Sequence, residues 1–213
     1  MEHSIQLINI NKSFSNKVIF SNLSYNFGQN TYHLIGKNGA GKSTLLRLIV
    51  GMDVIDSGAI IINGQNNTDT KQIYYVPDDL EIYPFLTGDE FLSWIAKARF
   101  STSNELNKVI EQLELKIHLN TSIADMSFGT KKKFLLASAL IGNPDFIILD
   151  EPLNGLDKNS QQVLLSILKE KACNTGIIFS THHDANIELL SPIKVQILNN
   201  NLIEEKNCIS EVI

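Results

Sequence analysis

The chain lacks any run of about 18 or more apolar residues, the length needed to cross a bilayer as a helix, so a membrane role must come through a partner chain. It has only two cysteines, Cys173 and Cys208, among its 213 residues. That is too few for a disulfide framework and points to a reducing compartment. There is no basic excess either. Eighteen lysines and arginines stand against 23 acidic residues, for a formal charge of −5. No long basic stripe is present, which argues against nucleic acid as a partner. The stretch Met1 to Asn11 mixes polar and charged residues with Ile and Leu, without the basic-then-apolar order of a signal peptide. Internal repeats and low-complexity tracts are also missing. A hydrophobic content of 43% is enough for a sizeable core, in one large α/β domain or one domain with a subdomain.

Gly36-Lys37-Asn38-Gly39-Ala40-Gly41-Lys42-Ser43-Thr44 fits the phosphate-binding pattern G-x-x-x-x-G-K-[ST] in full. Apolar residues Tyr32 to Ile35 before it read as a strand, and Leu45 to Val50 after it as a helix, the context the motif requires. The glycines let backbone N–H groups turn inward around a polyphosphate, and the helix start adds a positive dipole end. Lys42 is expected at the terminal phosphates and the Ser43 hydroxyl on Mg²⁺.

Around this motif the pattern is mixed. Ile5 to Ile8 and Leu23 to Phe27 alternate as short antiparallel strands, with Asn-rich turns near Ser15 and Gly28. Ala59 to Ile62 reads as a strand closed by the hairpin signal Asn63-Gly64, and Ile73 to Val76 as another. From Thr87 to Gly142 the spacing turns helical. Thr87 caps a segment with Phe91, Leu92, Ile95 and Ala96 on one face, and Leu106, Val109, Ile110 and Leu113 follow at helical spacing. Beyond Pro144, strand and helix alternate: Phe146 to Leu149, Lys158 to Lys171, Gly176 to Ser180, about Asp184 to Leu190, and Val195 to Leu198. Alternation of this kind predicts a mainly parallel sheet. The expected fold is α/β: a P-loop NTPase core with an N-terminal antiparallel β subdomain and an inserted α-helical subdomain. Residues 1–86 and 143–213 form the core and 87–142 the insertion.

Phe146-Ile147-Ile148-Leu149-Asp150-Glu151-Pro152 reads as a strand buried on both faces, ending in two carboxylates where open α/β sheets bind ligands. Asp150 is expected to hold Mg²⁺, and Glu151 to polarise an attacking water.

Taken together, these segments resemble the nucleotide-binding subunit of ABC transporters, over nearly the whole length from Ile5 to about Leu198 and with the motifs in the family's order. Asn38 to Thr44 is similar to the family's phosphate loop. Met126-Ser127-Phe128-Gly129-Thr130 stands where the family has Leu-Ser-Gly-Gly-Gln, with Phe128 and Thr130 as departures and Ser127 and Gly129 retained. Asn154-Gly155-Leu156-Asp157 resembles the loop that crosses the family's dimer interface, His182 its switch histidine, and Phe14 the aromatic that stacks on adenine. Asp78 aligns with the family's Q-loop glutamine, and an acidic residue there implies the export-type branch.

The resemblance implies ATP and Mg²⁺ as cofactors, with Asp78 a possible third metal contact. It implies a head-to-tail dimer in which Ser127 and Gly129 face the nucleotide of the opposite subunit. It also implies a separate transmembrane permease, docked by the helical insertion, and a cytoplasmic location on the inner face of the membrane. Lys131, Lys132 and Lys133 are expected in the first turn of a helix, Lys132 and Lys133 on a solvated basic face. Two other classes stay open: a soluble ABC-type ATPase acting on ribosomes or DNA, and a slow nucleotide-sensing module. The first is disfavoured by the single cassette and the lack of a long coiled coil, the second by the presence of Glu151 and His182.

Overall fold

The computed structural model describes residues 3–66, 72–79, 82–182 and 187–205. Two sheets carry the fold. In the first, β1 (Ile5–Phe14), β2 (Lys17–Phe27), β4 (Ser57–Ile62) and β5 (Gln65–Asn66) pair antiparallel in the order β2-β1-β4-β5. Ile5, Leu7 and Ile10 of β1 are buried with Phe20, Leu23 and Phe27 of β2. The two N-terminal strands run longer than alternation predicts. Asn9 and Asn22 take left-handed backbone, and the pairing register of β1 shifts around Asn9. Asparagine tolerates that conformation, so each strand passes through a bulge instead of ending. Asn63 and Gly64, both at positive φ, form the expected hairpin turn between β4 and β5.

The second sheet has the order β10-β9-β3-β8-β7-β6. β3 (Thr31–Ile35), β6 (Ile73–Val76), β7 (Phe146–Asp150), β8 (Gly176–Ser180) and β9 (Ile193–Leu198) are parallel. β10 (Asn201–Glu204) adds an antiparallel edge that the pattern does not predict. It returns through Asn199 and Asn200, both at positive φ.

Among the described residues five α-helices connect the strands: α1 (Lys42–Ile49), α2 (Gly88–Ala98), α3 (Ser103–Gln112), α4 (Phe128–Leu140) and α5 (Lys158–Lys171). Thr87 caps α2, and Thr102 caps α3, each in a reciprocal box with a glutamate three residues on. Of the helix expected near Asp184 to Leu190, positions 183–186 lie outside the described residues, and Ile187–Leu190 form a short 3-10 turn. No helix among the described residues is long and apolar enough to cross a membrane.

The central strand β7 explains why the site is rigid. Ile147 and Leu149 join the core formed with α2 to α5, while Phe146 and Ile148 join the core between the two sheets and α1. A strand fully buried on both faces fixes the position of whatever follows it. α2 is held with similar closeness. A Cβ on Gly88 would lie 2.5 Å from the buried ring of Phe134 and 3.1 Å from the His118 carbonyl oxygen. Gly88→Ala is therefore expected to lower unfolding stability by about 1–3 kcal/mol, read from urea denaturation.

Candidate functional site

One cleft of about 660 Å³ gathers Phe14, Lys17, Ile19, Asn38, Gly39, Gly41, Lys42, Ser43, Thr44, Asp78, Asp150, Glu151, Asn154 and His182. It lies at the C-terminal ends of β3, β6, β7 and β8, where parallel sheets present their loops.

The loop between β3 and α1 is built around Gly41. Its φ is +108°, and a Cβ there would sit 2.6 Å from Ile19. Only glycine fits both constraints. No side chain caps α1 and its first turn holds no acid, so its leading N–H groups face the cleft as anion donors. Lys42 is buried, and its ammonium donates to the Gly36 carbonyl at 2.9 Å and meets His182 Nε2 at 3.0 Å. Lys17 Nζ donates to the Gly39 carbonyl oxygen at 3.1 Å and steadies the loop from β2. Gly36 and Ala40 do not line the cleft. Gly36 serves Lys42 through its carbonyl, and Ala40 packs within 3.2 Å of where a Gly36 Cβ would stand.

Asp150 ends β7, paired in register with Ser180 of β8. Ser180 Oγ donates to Asp150 Oδ1 at 2.6 Å and accepts from the Glu151 N–H at 3.1 Å. This one hydroxyl holds the Asp150 carboxylate and the Glu151 backbone. Glu151 takes a φ of +46°, a conformation that costs a non-glycine residue about 1–3 kcal/mol. Glu151 Oε2 accepts from the His182 N–H at 3.1 Å. Its other oxygen, Oε1, is buried and lacks a hydrogen bond, although His182 Nε2 lies 3.3 Å away. An orphaned carboxylate oxygen facing a cleft fits a group that arrives with the ligand, such as a water.

The donors suit ATP with Mg²⁺. Ser43 offers a hydroxyl, and Asp150 and Asp78 offer carboxylates, all hard oxygens. No cluster of three or more His, Cys, Asp or Glu with ligating geometry occurs among the described residues. A cation held by these residues would take further partners from phosphate and water, as Mg²⁺ does. Asp78 does more than cap a turn: it accepts from Asn154 Nδ2 at 3.0 Å and lines the cleft. Phe14 is 47% exposed at the cleft edge, with Lys12 Nζ 4.6 Å from its ring centre.

Ser127 and Gly129 lie outside this cleft. Ser127 caps α4, accepting from the Thr130 N–H at 3.2 Å. The Phe128 ring packs so closely on Gly155 that a Cβ there would be 2.1 Å away, so Gly155 makes room for the departure at Phe128.

The expectation for Lys132 is overturned. α4 begins at Phe128, so its first turn ends at Lys131, and Lys132 follows on the inner face with no exposed surface. Lys133 is partly exposed. A run of three lysines read as a solvated face, but helical geometry sends one of them inward.

Ser180, Lys17 and His33 are functional neighbours that sequence reasoning missed. Ser180 needs the register of two strands distant in sequence, which no local pattern signals. His33 is buried in β3, stacked on Phe179 with ring centres 4.9 Å apart. Its Nε2 lies 3.3 Å from the Thr181 carbonyl oxygen in the turn that carries His182. Burial holds its pKa below the usual histidine value, so the neutral ring donates from Nε2.

The family described as ABC transporter matches residues 20–154. The chain is 35% identical over 205 residues to the zinc import ATP-binding protein ZnuC of Rickettsia conorii, covering 93% of this chain and 84% of that one. It is 31% identical over 197 residues to the linearmycin resistance ATP-binding protein LnrL of Bacillus subtilis, covering 87% of this chain and 63% of that one. A solved structure described as the ATP-binding subunit of an ABC transporter superposes with a TM-score of 0.84 at 27% identity, over 94% of this chain and 89% of the other. With the phosphate loop, the acidic strand end and the fold all in agreement, the chain belongs to the ABC transporter ATP-binding family, and it is an ATPase.

Proposed function

We propose that the cleft hydrolyses ATP with Mg²⁺ to power export by a separate transmembrane permease, from the inner face of the membrane. The observation that carries this reading is the convergence of Lys42, Asp150, Glu151 and His182 on one cleft at the uncapped start of α1. Phosphoryl transfer to water asks for positioning and electrostatics more than covalent chemistry. N–H groups from Gly39 to Thr44 cradle the phosphates, and Lys42 turns from Gly36 and His182 to the β- and γ-phosphates. Ser43 and Asp150, with Asp78 beside them, hold the metal, which when bound neutralises charge on the phosphates. Glu151 takes the proton of the attacking water, and His182 donates to the γ-phosphate. Phe14 stacks on the adenine.

Ser127 and Gly129, outside this cleft, serve the cleft of a second chain, so two chains pair head-to-tail. Residues 87–142 act as the helical insertion within a single ATP-binding unit. At their start, Tyr83 and Phe85 meet Trp94 of α2, all at least half exposed, with the Tyr83 ring centre 5.8 Å from that of Phe85 and 5.7 Å from that of Trp94. An exposed aromatic cluster of this kind marks an interaction site and supports docking of the permease there.

Export is favoured by Asp78 and by the resistance-related relative. Import is the second reading, favoured by the relatives named for zinc import. Co-expression with the membrane protein encoded beside this chain is expected to carry it into the membrane fraction. Recovery with ribosomes instead overturns the transport reading. ATP-driven uptake into inside-out vesicles holding both proteins signals export, and ATP-driven loss of preloaded substrate signals import.

A further inference from the structure

Lys132 carries an ammonium group with no exposed surface. Its Nζ donates to the Pro77 carbonyl at 3.3 Å and to the Asp78 carbonyl at 3.5 Å, and stands 3.8 Å from Asp78 Oδ1. It therefore lies directly behind the wall of the nucleotide cleft, not on it. That wall carries three carboxylates, Asp78, Asp150 and Glu151, against two lysines, Lys17 and Lys42. A triphosphate entering such a cleft meets like charge.

We propose that Lys132 is the buried counter-charge of the nucleotide cleft, offsetting Asp78, Asp150 and Glu151 so that an anionic triphosphate can bind. The geometry of the ammonium supports it. Among the described residues the ammonium finds its polar partners on residues 77 and 78, so it is anchored to the cleft wall. Asp78, at 3.8 Å, is the carboxylate it meets most directly. A charge acting from a buried position is weakly screened, so it works without touching the nucleotide.

This inference rests on the cleft being the ATP site, which wild-type binding and Lys42→Ala test separately. The experiment is calorimetric titration of ATP, once in EDTA and once in excess Mg²⁺. Lys132→Met replaces a buried cation with an apolar chain of similar length, and the carboxylate left behind, Asp78, is half exposed and stays solvated. It is expected to weaken metal-free ATP binding by roughly tenfold and Mg²⁺-ATP binding by no more than about threefold, because the metal neutralises the same phosphates. Asp78→Asn, at a half-exposed position, is expected to strengthen metal-free binding by about threefold or more. The double variant is expected to return to within about threefold of wild type.

If Lys132→Met weakens both titrations equally and Asp78→Asn does not reverse the loss, the lysine is structural and the proposal is overturned. Metal-free affinity unchanged in both single variants overturns it as well. Should Lys132→Met fail to fold, Lys132→Gln, which removes the charge and keeps a donor for the Pro77 and Asp78 carbonyls, takes its place in both titrations. Failure of wild type to bind ATP at all rejects the cleft itself.

Discussion

Lys42→Ala is expected to cut ATP turnover by roughly 10²-fold or more and to remove measurable ATP binding at ordinary concentrations. The size of the effect follows from the surroundings of the side chain. Lys42 is buried at the head of α1, aimed by the Gly36 carbonyl, and is the only lysine in the motif that reaches His182. A buried cation that meets phosphate makes charge-assisted contacts worth more than those in water. The substitution leaves the helix intact, since alanine is a good helix former. Unfolding by urea should therefore stay close to wild type while activity collapses. Retained turnover in a purified variant would mean that phosphates bind elsewhere.

Glu151→Gln is expected to reduce turnover by about 10²–10⁴-fold while ATP binding persists. The amide keeps the shape of the side chain and the bond from the His182 N–H to Oε2, if the amide oxygen takes that place. It cannot accept the proton of an attacking water. The unpaired Oε1 is the atom whose chemistry changes most. Single-turnover measurement of phosphate release separates this outcome from a binding defect. A variant that hydrolyses ATP at the wild-type rate removes Glu151 from the chemistry.

How much of this was legible before the structure depended on distance along the chain. The phosphate loop is a local object. Gly41 is required by its own φ and by Ile19, and a strand, a turn and a helix start within some fifteen residues declare it. The carboxylate pair was legible because β7 is apolar on both faces and then ends abruptly in Asp150 and Glu151. Ser180 was not, because its bond to Asp150 exists only once β7 and β8 pair in the observed register. Lys132 was misread for a different reason. A Lys-Lys-Lys run has the composition of a solvated face, and only the packing of α4 against the loop after β6 turns its middle member inward. The strand β10 escaped notice because it is only four residues long and Asn199-Asn200 reads as a loop as readily as a hairpin. Long-range pairing and the inside of a charged run are what a linear pattern conceals.

The central claim is that this cleft is one half of an ATP site whose other half comes from Ser127 and Gly129 of a second chain. Light scattering of Glu151→Gln with saturating ATP and Mg²⁺, alongside a count of bound nucleotide, tests it most directly. The account predicts a mass twice that of the chain with one nucleotide per chain, reverting to monomer when Ser127 and Gly129 are both replaced by bulkier residues. A nucleotide-saturated monomer would contradict it.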